Sequence, residues 1–287
     1  RMTSTIKDYT ENLENKVHER TEQLSISNNK LTYYNKEITD SINYAKHIQS
    51  SILPDHKTLE NSLKEYFILY KPRNIVGGDL YFYKNVNNSQ LIAVADCTGH
   101  GVPGAFMTLI VSSALNHIVD KYQNPAQILK ELNINIRKQL HQHNKTDFLS
   151  DDGLDIAICQ ITANKKSLIY AGAQFPMAYC KNNQVFMLKG DKQNVGYIRS
   201  KEDFEYINHE ILLEGNEIFY LCSDGLFHQN GTNNRYPFGK KRYTQFLLEH
   251  HNLPLSRQKQ LIEDLFLIYQ GDAPQRDDLV LFGFKIF

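Results

Sequence analysis

Carboxylates bound several of the apolar runs in this 287-residue sequence. Asp79 follows "VGG", Asp96 ends "LIAVAD", Asp224 ends "IFYLCSD", and Asp277 and Asp278 open "DDLVLFGF". Taken singly, each reads as a turn or a cap, because Asp-Gly is ordinary turn chemistry. Taken together they pose an electrostatic problem. A fold that brings these strand ends together gathers four or five like charges, at a cost that a cation relieves. An all-oxygen donor set selects hard ions such as Mg²⁺ or Mn²⁺ over Zn²⁺. No EF-hand loop pattern is present to make this a calcium-binding domain.

The chain after Asp96 needs unusual backbone freedom. "DCTGHGVPGAF" carries Gly99, Gly101 and Gly104, and glycine tolerates the tight turn that links a buried strand to the helix beginning near Val102. Amides at that helix start would face an anion.

These residues need elements to position them. Residues 1–53 lack glycine and proline, and Leu24, Leu31, Ile38, Ile42, Ala45 and Ile52 recur on a three-and-four spacing. Leu13 and Val17 extend the stripe, and Asn28 and Asn35 interrupt it. The pattern predicts a long helix with a parallel coiled-coil seam over residues 10–40, its last turns docking on the domain that follows, a single amphipathic helix packed on its own domain being the alternative. Residues 54–287 form that domain. "EYFILYKP" reads as a strand, and "GGDLYFYKNVNNSQLIAVAD" as a hairpin turning at "NVNN". Two helices follow, one largely apolar from Val102 and one with the stripe Ile128, Leu129, Leu132, Ile136 and Leu140. Strands are expected near 154–162, 167–173, 177–180, 184–189, 206–213, 217–223 and 279–286. Two further helices are expected near 239–250 and 256–270. Strand runs broken by helix pairs favour an α+β fold with antiparallel sheets under helix layers.

The blocks "VGGD", "VADCTGHGVPGAF", "DDGLDIAI", "CSDGL" and "RDDLV", in this order and spacing, resemble the metal-dependent type 2C (PPM) serine/threonine protein phosphatases. Their bacterial branch typified by stage II sporulation protein E is the nearest match, over residues 37–287. The resemblance implies two packed antiparallel sheets flanked by helices, an α-β-β-α sandwich. It implies two Mn²⁺ or Mg²⁺ ions, with Asp96 bridging both and the Cys97 carbonyl binding one. Asp224 and Asp277 would hold one ion and Asp79 the other, with Asp278 behind them. Hydrolysis of phosphoserine or phosphothreonine would proceed through a water bridging the two ions. Arg73 or Lys71 would hold the phosphate, an ordinary solvated strand end being the equal alternative. His100 would protonate the leaving oxygen or merely shape the loop; it stands four residues after Asp96, where animal-type members place a histidine two after. Asp152 and Asp155 would support a third, weaker ion or cap a strand, with capping favoured for Asp155. His228 and Val280 depart from the residues usual in this branch.

The partners implied are a phosphorylated regulator of anti-anti-sigma type and an upstream sensor domain in a longer chain, of which a start at Arg1 would be a fragment. The coil implies a homodimer. A catalytically weak pseudophosphatase serving as a dimeric phosphoprotein-binding module is the alternative, and the retained Asp79, Asp96, Asp224 and Asp277 argue against it. Lys+Arg and Asp+Glu both number 32, which leaves no electrostatic footprint for nucleic acid. The four cysteines form no CxxC pair and read as reduced core residues of a cytoplasmic domain, or of the cytoplasmic part of a membrane-anchored sensor. No apolar run is expected to span a membrane. Neither CxxxxxR nor GxSxG occurs, so no covalent phosphoenzyme is expected.

Overall fold

The computed structural model describes residues 2–142, 151–232 and 234–287. It divides into two compact units, residues 1–46 and 47–287. The first is most of α1 (Met2–Ser51), a single 50-residue helix. Leu13, Val17, Leu24, Leu31 and Ile38 are each more than half exposed along it.

The second unit begins with the last turn of α1. It continues through α2 (His56–Glu60), β1 (Glu65–Lys71), β2 (Asp79–Val86), β3 (Ser89–Cys97), α3 (Gly101–Val119) and α4 (Pro125–Gln139). There follow β4 (Leu154–Ile161), β5 (Ser167–Ala173), β6 (Met177–Lys181), β7 (Gln184–Leu188), β8 (His209–Leu212) and β9 (Ile218–Cys222). The chain closes with α5 (Gly225–His228), β10 (Asn230–Gly231), β11 (Asn234–Pro237), α6 (Gly239–His250), α7 (Leu255–Gln270) and β12 (Leu279–Lys285).

Ten strands form two antiparallel five-stranded sheets, ordered β1-β12-β9-β6-β7 and β2-β3-β4-β5-β8. The two-residue period of each strand sorts its side chains into layers. Tyr81, Tyr83, Ile92, Val94, Ala157 and Cys159 of one sheet pack on Phe219, Leu221, Val280 and Phe282 of the other. Leu80, Phe82, Leu91 and Ala93 face outward onto Val111, Leu115, Ile128 and Leu132 of α3 and α4. Phe67, Leu69, Tyr220 and Leu281 face outward onto Phe246, Ile262 and Phe266 of α6 and α7. The layers therefore run helix, sheet, sheet, helix.

Several expectations are corrected. The hairpin turn lies at Asn87–Asn88, both with positive φ (51° and 65°), as the twist of a two-residue hairpin demands; Asn85 and Val86 still pair with Gln90 and Ser89. The strand expected from 206 begins at His209; the Ile207 amide, which a ladder would need, is spent on Asp191 Oδ2. The short elements α2, α5, β10 and β11 have too few residues to show a period. Finally, α3 is long and apolar enough to cross a membrane by length and composition. Here it is a core helix, with Met107, Val111, Leu115 and Val119 buried.

Candidate active site

The alternation that buries Tyr81, Tyr83, Ile92 and Val94 between the sheets continues to the strand ends and delivers carboxylates there. Asp79 lies directly opposite Asp96 in the β2–β3 ladder, and Asp96 directly opposite Asp155 in the β3–β4 ladder. Opposed residues of antiparallel strands share a face, with strands about 4.8 Å apart. Three carboxylates thus stand in a row at the edge of the inter-sheet core. The row continues past β4: Leu154 and Val195 exchange backbone bonds, and Asn194 donates to Asp155 Oδ1 at 2.5 Å. Asp155 is therefore a member of the cluster within β4, and the reading of it as a strand cap is replaced. Asp152 sits outside the row, its backbone held by Gln142.

The second sheet faces this row. Ser223 follows Leu221 by two residues and so points between the sheets. Its hydroxyl donates to Asp79 Oδ2 at 2.6 Å and accepts the Val280 amide at 2.9 Å. Asp278, two residues before Val280, points the same way and accepts the amides of Arg73 (2.7 Å) and Gly78 (2.6 Å). Asp277 Oδ1 accepts the Asp278 amide. Asp224 stands just before α5, with Oδ2 3.0 Å from His228 Nδ1. The glycine of "CSDGL" is sterically required, since a Cβ on Gly225 would fall 1.9 Å from the Asp278 carbonyl oxygen.

A second close approach explains the glycines around Asp96. A Cβ on Gly78 would lie 2.3 Å from Gly99 O, and one on Gly104 would lie 2.4 Å from the same oxygen and 2.8 Å from Gly78 Cα. The segment before Asp79 thereby packs backbone to backbone on the turn after Asp96. Cys97 is buried and its amide bonds Gly78 O; a Cβ on Gly78 would lie 3.0 Å from the Cys97 carbonyl oxygen. His100 lies just before α3, its ring bonded to Asn74 Oδ1 at 3.0 Å; it ties the Asn74 segment to the helix start. Lys71 shares the outward face of Phe67 and Leu69, away from the carboxylates, and its ammonium pairs with Glu263 of α7 at 3.2 Å. Arg73 is exposed.

The electrostatics follow from this crowding. Burial, then the charges of Asp278, Asp277 and Asp224, holds the Asp79 carboxyl well above the usual carboxylate range, against the lowering effect of the Ser223 hydroxyl. Burial and then Asp79, Asp224, Asp277 and Asp155 do the same to Asp96. Burial also raises Asp155 and Asp278, with hydrogen bonds partly opposing it.

Among the described residues, no group of three or more His, Cys, Asp or Glu side chains is close enough, as the side chains stand, to hold a metal ion. The donor set fits hard divalent ions nonetheless. Asp79, Asp155 and Asp224 each bind a positioning group through one oxygen, which leaves the other for an ion. Their mutual repulsion is what a cation removes.

Sequence reasoning named Asp79, Asp96, Cys97, Asp224 and Asp277 but missed Ser223, Asn194 and the loop donors. The period of β9 would have placed Ser223 beside Leu221 on the inner face. Nothing local marks Asn194, which lies in an irregular segment.

Two antiparallel sheets packed face to face between helix layers, with clustered carboxylates at one mouth, define a type 2C phosphatase domain. The chain belongs to the family described as stage II sporulation protein E (SpoIIE), which matches residues 87–287. Asp79 precedes that span and enters the site through its pairing with Asp96. The phosphoserine phosphatase RsbU of Bacillus subtilis (strain 168) is 23% identical over 253 residues, covering 86% of this chain and 70% of RsbU. The SiaA-PP2C domain of Pseudomonas aeruginosa is 35% identical, with a TM-score of 0.80 over 88% of this chain and 98% of that one. The structure of the PP2C phosphatase domain and a fragment of the regulatory domain of SpoIIE from Bacillus subtilis, 15% identical with a TM-score of 0.59 over 78% of this chain and 63% of that one, shares the fold.

Proposed function

We propose that this domain hydrolyses phosphoserine and phosphothreonine in a regulatory protein, under the control of an upstream sensor acting through α1. The observation that carries the reading is the Asp79–Asp96–Asp155 row facing Asp224 and Asp277 across the mouth of the sandwich. The central carboxylate, Asp96, would help to hold the Mn²⁺ or Mg²⁺ ions of the site. Asp79 and the Cys97 carbonyl would hold one side of it, and Asp224 and Asp277 the other. Bound ions would supply an activated water and offset charge on the phosphoryl oxygens. Ser223 orients Asp79 for this role, and Asp278 holds Gly78 and so the backbone that leads into Asp79. Arg73, exposed and with its backbone amide on Asp278, would meet the phosphate; Lys71 is engaged by Glu263. His100 holds the loop through Asn74.

The exposed stripe of α1 supports a parallel two-helix coil, hence a homodimer; the substrate would be a cytoplasmic regulator of anti-anti-sigma type, an implication of the family. RsbU, a phosphoserine phosphatase by name, supports the choice of phosphoserine.

Phosphate release from phosphoserine, phosphothreonine and phosphotyrosine proteins, with Mn²⁺ and with chelator, tests the reading. Activity on the first two should need the metal and vanish with chelator. Asp96→Asn should lower turnover by orders of magnitude while the far-ultraviolet circular dichroism stays the same. Full activity in chelator, a preference for phosphotyrosine, or a near-normal Asp96→Asn would each overturn it.

A further inference from the structure

The irregular segment between β7 and β8 is held far more tightly than its lack of secondary structure implies. Arg137 of α4, buried, donates to the carbonyls of Tyr197 (2.8 Å), Ile198 (3.0 Å) and Ser200. Asn133, fully buried, donates to Lys201 O and accepts the Gly196 amide. Gln142, also fully buried, donates to Gly196 O. Three interior side chains are thus spent on fixing one surface loop, and polar groups are buried only where such bonds repay the desolvation.

The loop presents a preformed cationic pocket beside the carboxylate row. Lys192, Asn194, Arg199, Gln174 and Ser200 line a pocket of about 370 Å³. Arg199 lies over the Tyr197 ring at 5.4 Å, and the Tyr197 hydroxyl bonds Thr98 Oγ1 at 2.8 Å, two residues after Asp96. Asn194 forms the wall shared by pocket and row through its bond to Asp155. Lys192 and Arg199 are exposed, and neither ammonium nor guanidinium has a carboxylate within ion-pair distance among the described residues. The loop backbone that carries these two cations is fixed; Arg199 acts through space on Asp155 of the row, but neither cation is tied up in an ion pair, and both are open to an anion from outside.

We propose that this pocket is a subsite for the side-chain carboxylate of an acidic residue about three positions from the phosphorylated serine of the protein substrate. The spacing follows from the sheet. Asn194 stands two strand positions from Asp96, about 10 Å at 4.8 Å per strand, and an extended peptide covers that in about three residues at 3.3 Å each. The subsite rests on the phosphoprotein reading of the carboxylate centre and adds a recognition element to it.

The test uses the whole chain with Mn²⁺ and phosphoserine peptides carrying Glu, Ala or a second phosphoserine three positions to either side. The wild-type protein should show kcat/KM about tenfold higher for the Glu peptide of one polarity than for its Ala counterpart, the size of one charge-assisted hydrogen bond. Lys192→Ala/Arg199→Ala should bring that ratio to about one, and Arg199→Lys should retain part of it. A merely structural role would lower both peptides together and leave the ratio unmoved, which overturns the proposal. Equal cleavage of Glu and Ala peptides by the wild type, or a preference only for the second phosphate, overturns it as well. If no phosphoserine peptide is cleaved, the phosphoprotein reading itself fails and takes the subsite with it.

Discussion

Ser223 shows how a single small side chain joins the two sheets at the centre of the chemistry. Its hydroxyl gives its proton to Asp79 and accepts the Val280 amide, so it couples a carboxylate of one sheet to the backbone of the other. Ser223→Ala leaves a buried amide without an acceptor, a loss of about 1–3 kcal/mol in stability, readable by chemical denaturation. It also frees Asp79 to rotate. Removing an orienting partner of a metal ligand weakens affinity about 10–100-fold, so Mn²⁺ titration calorimetry should show that loss; unchanged affinity would mean that Asp79 needs no orientation. Asp278 works in the same way on the backbone, since both its oxygens are spent on the amides of Arg73 and Gly78 and it is a clamp rather than a ligand.

At the scale of elements, the segment Arg73–Gly78 is gripped from three directions. Asp278, just before β12, holds it through the Arg73 and Gly78 amides, and His100, just before α3, holds it through Asn74. The last turn of α1 holds it through Gln49, which is buried and donates to Gly77 O at 2.6 Å and Thr108 Oγ1 at 3.0 Å while accepting the Gly77 amide. The end of α1 thus bonds both α3 and the residue two before Asp79. Gln49→Leu keeps the volume and removes every one of these bonds. The expected outcome is a stability loss of about 1–3 kcal/mol with a fall in Mn²⁺ affinity. A variant that loses stability alone, with metal affinity intact, would show that the helix end does not reach the centre. The regulation proposed for α1 requires this connection, because coupling between sites needs a continuous element with two arrangements.

For the whole molecule, the clustered carboxylates are a built-in instability that a cation cancels. Asp79, Asp96, Asp155 and Asp278 are all raised, burial being the first cause in each. A carboxyl with a raised folded pKa binds more protons folded than unfolded, from about pH 4, the ordinary carboxylate value, up to its folded pKa. Stability therefore falls as pH rises through that window. The chelated protein should lose Tm as pH rises above the ordinary carboxylate value of about 4, and Mn²⁺ should raise Tm more at the higher pH. A metal shift independent of pH would indicate that the carboxylates are neutralised in another way. The coil belongs to this scale too. The protein should sediment as a dimer at tens of micromolar, and a form beginning near Ser51 as a monomer; a monomer in both cases would reduce α1 to a tether.

What the sequence determined by itself is what short-range periodicity can carry. The two-residue alternation of "DLYFY" and "LIAVAD" decides that Asp79 and Asp96 share a face with Tyr81 and Val94. The glycines of "VGGD" and "CTGHGVPG" mark a backbone approach, and five ordered blocks were enough to name the family. Tertiary structure decided what depends on partners distant in the chain. The register of β4 on β3 turned Asp155 from a strand cap into the neighbour of Asp96. The packing of sheet on sheet brought Ser223 to Asp79, 144 residues away in sequence. The segment from Asp191 to Ser200 has no period at all, and its shape comes from Asn133, Arg137 and Gln142 of a neighbouring layer. Local pattern fixes which way a side chain points; only the closing of the whole core settles what it points at.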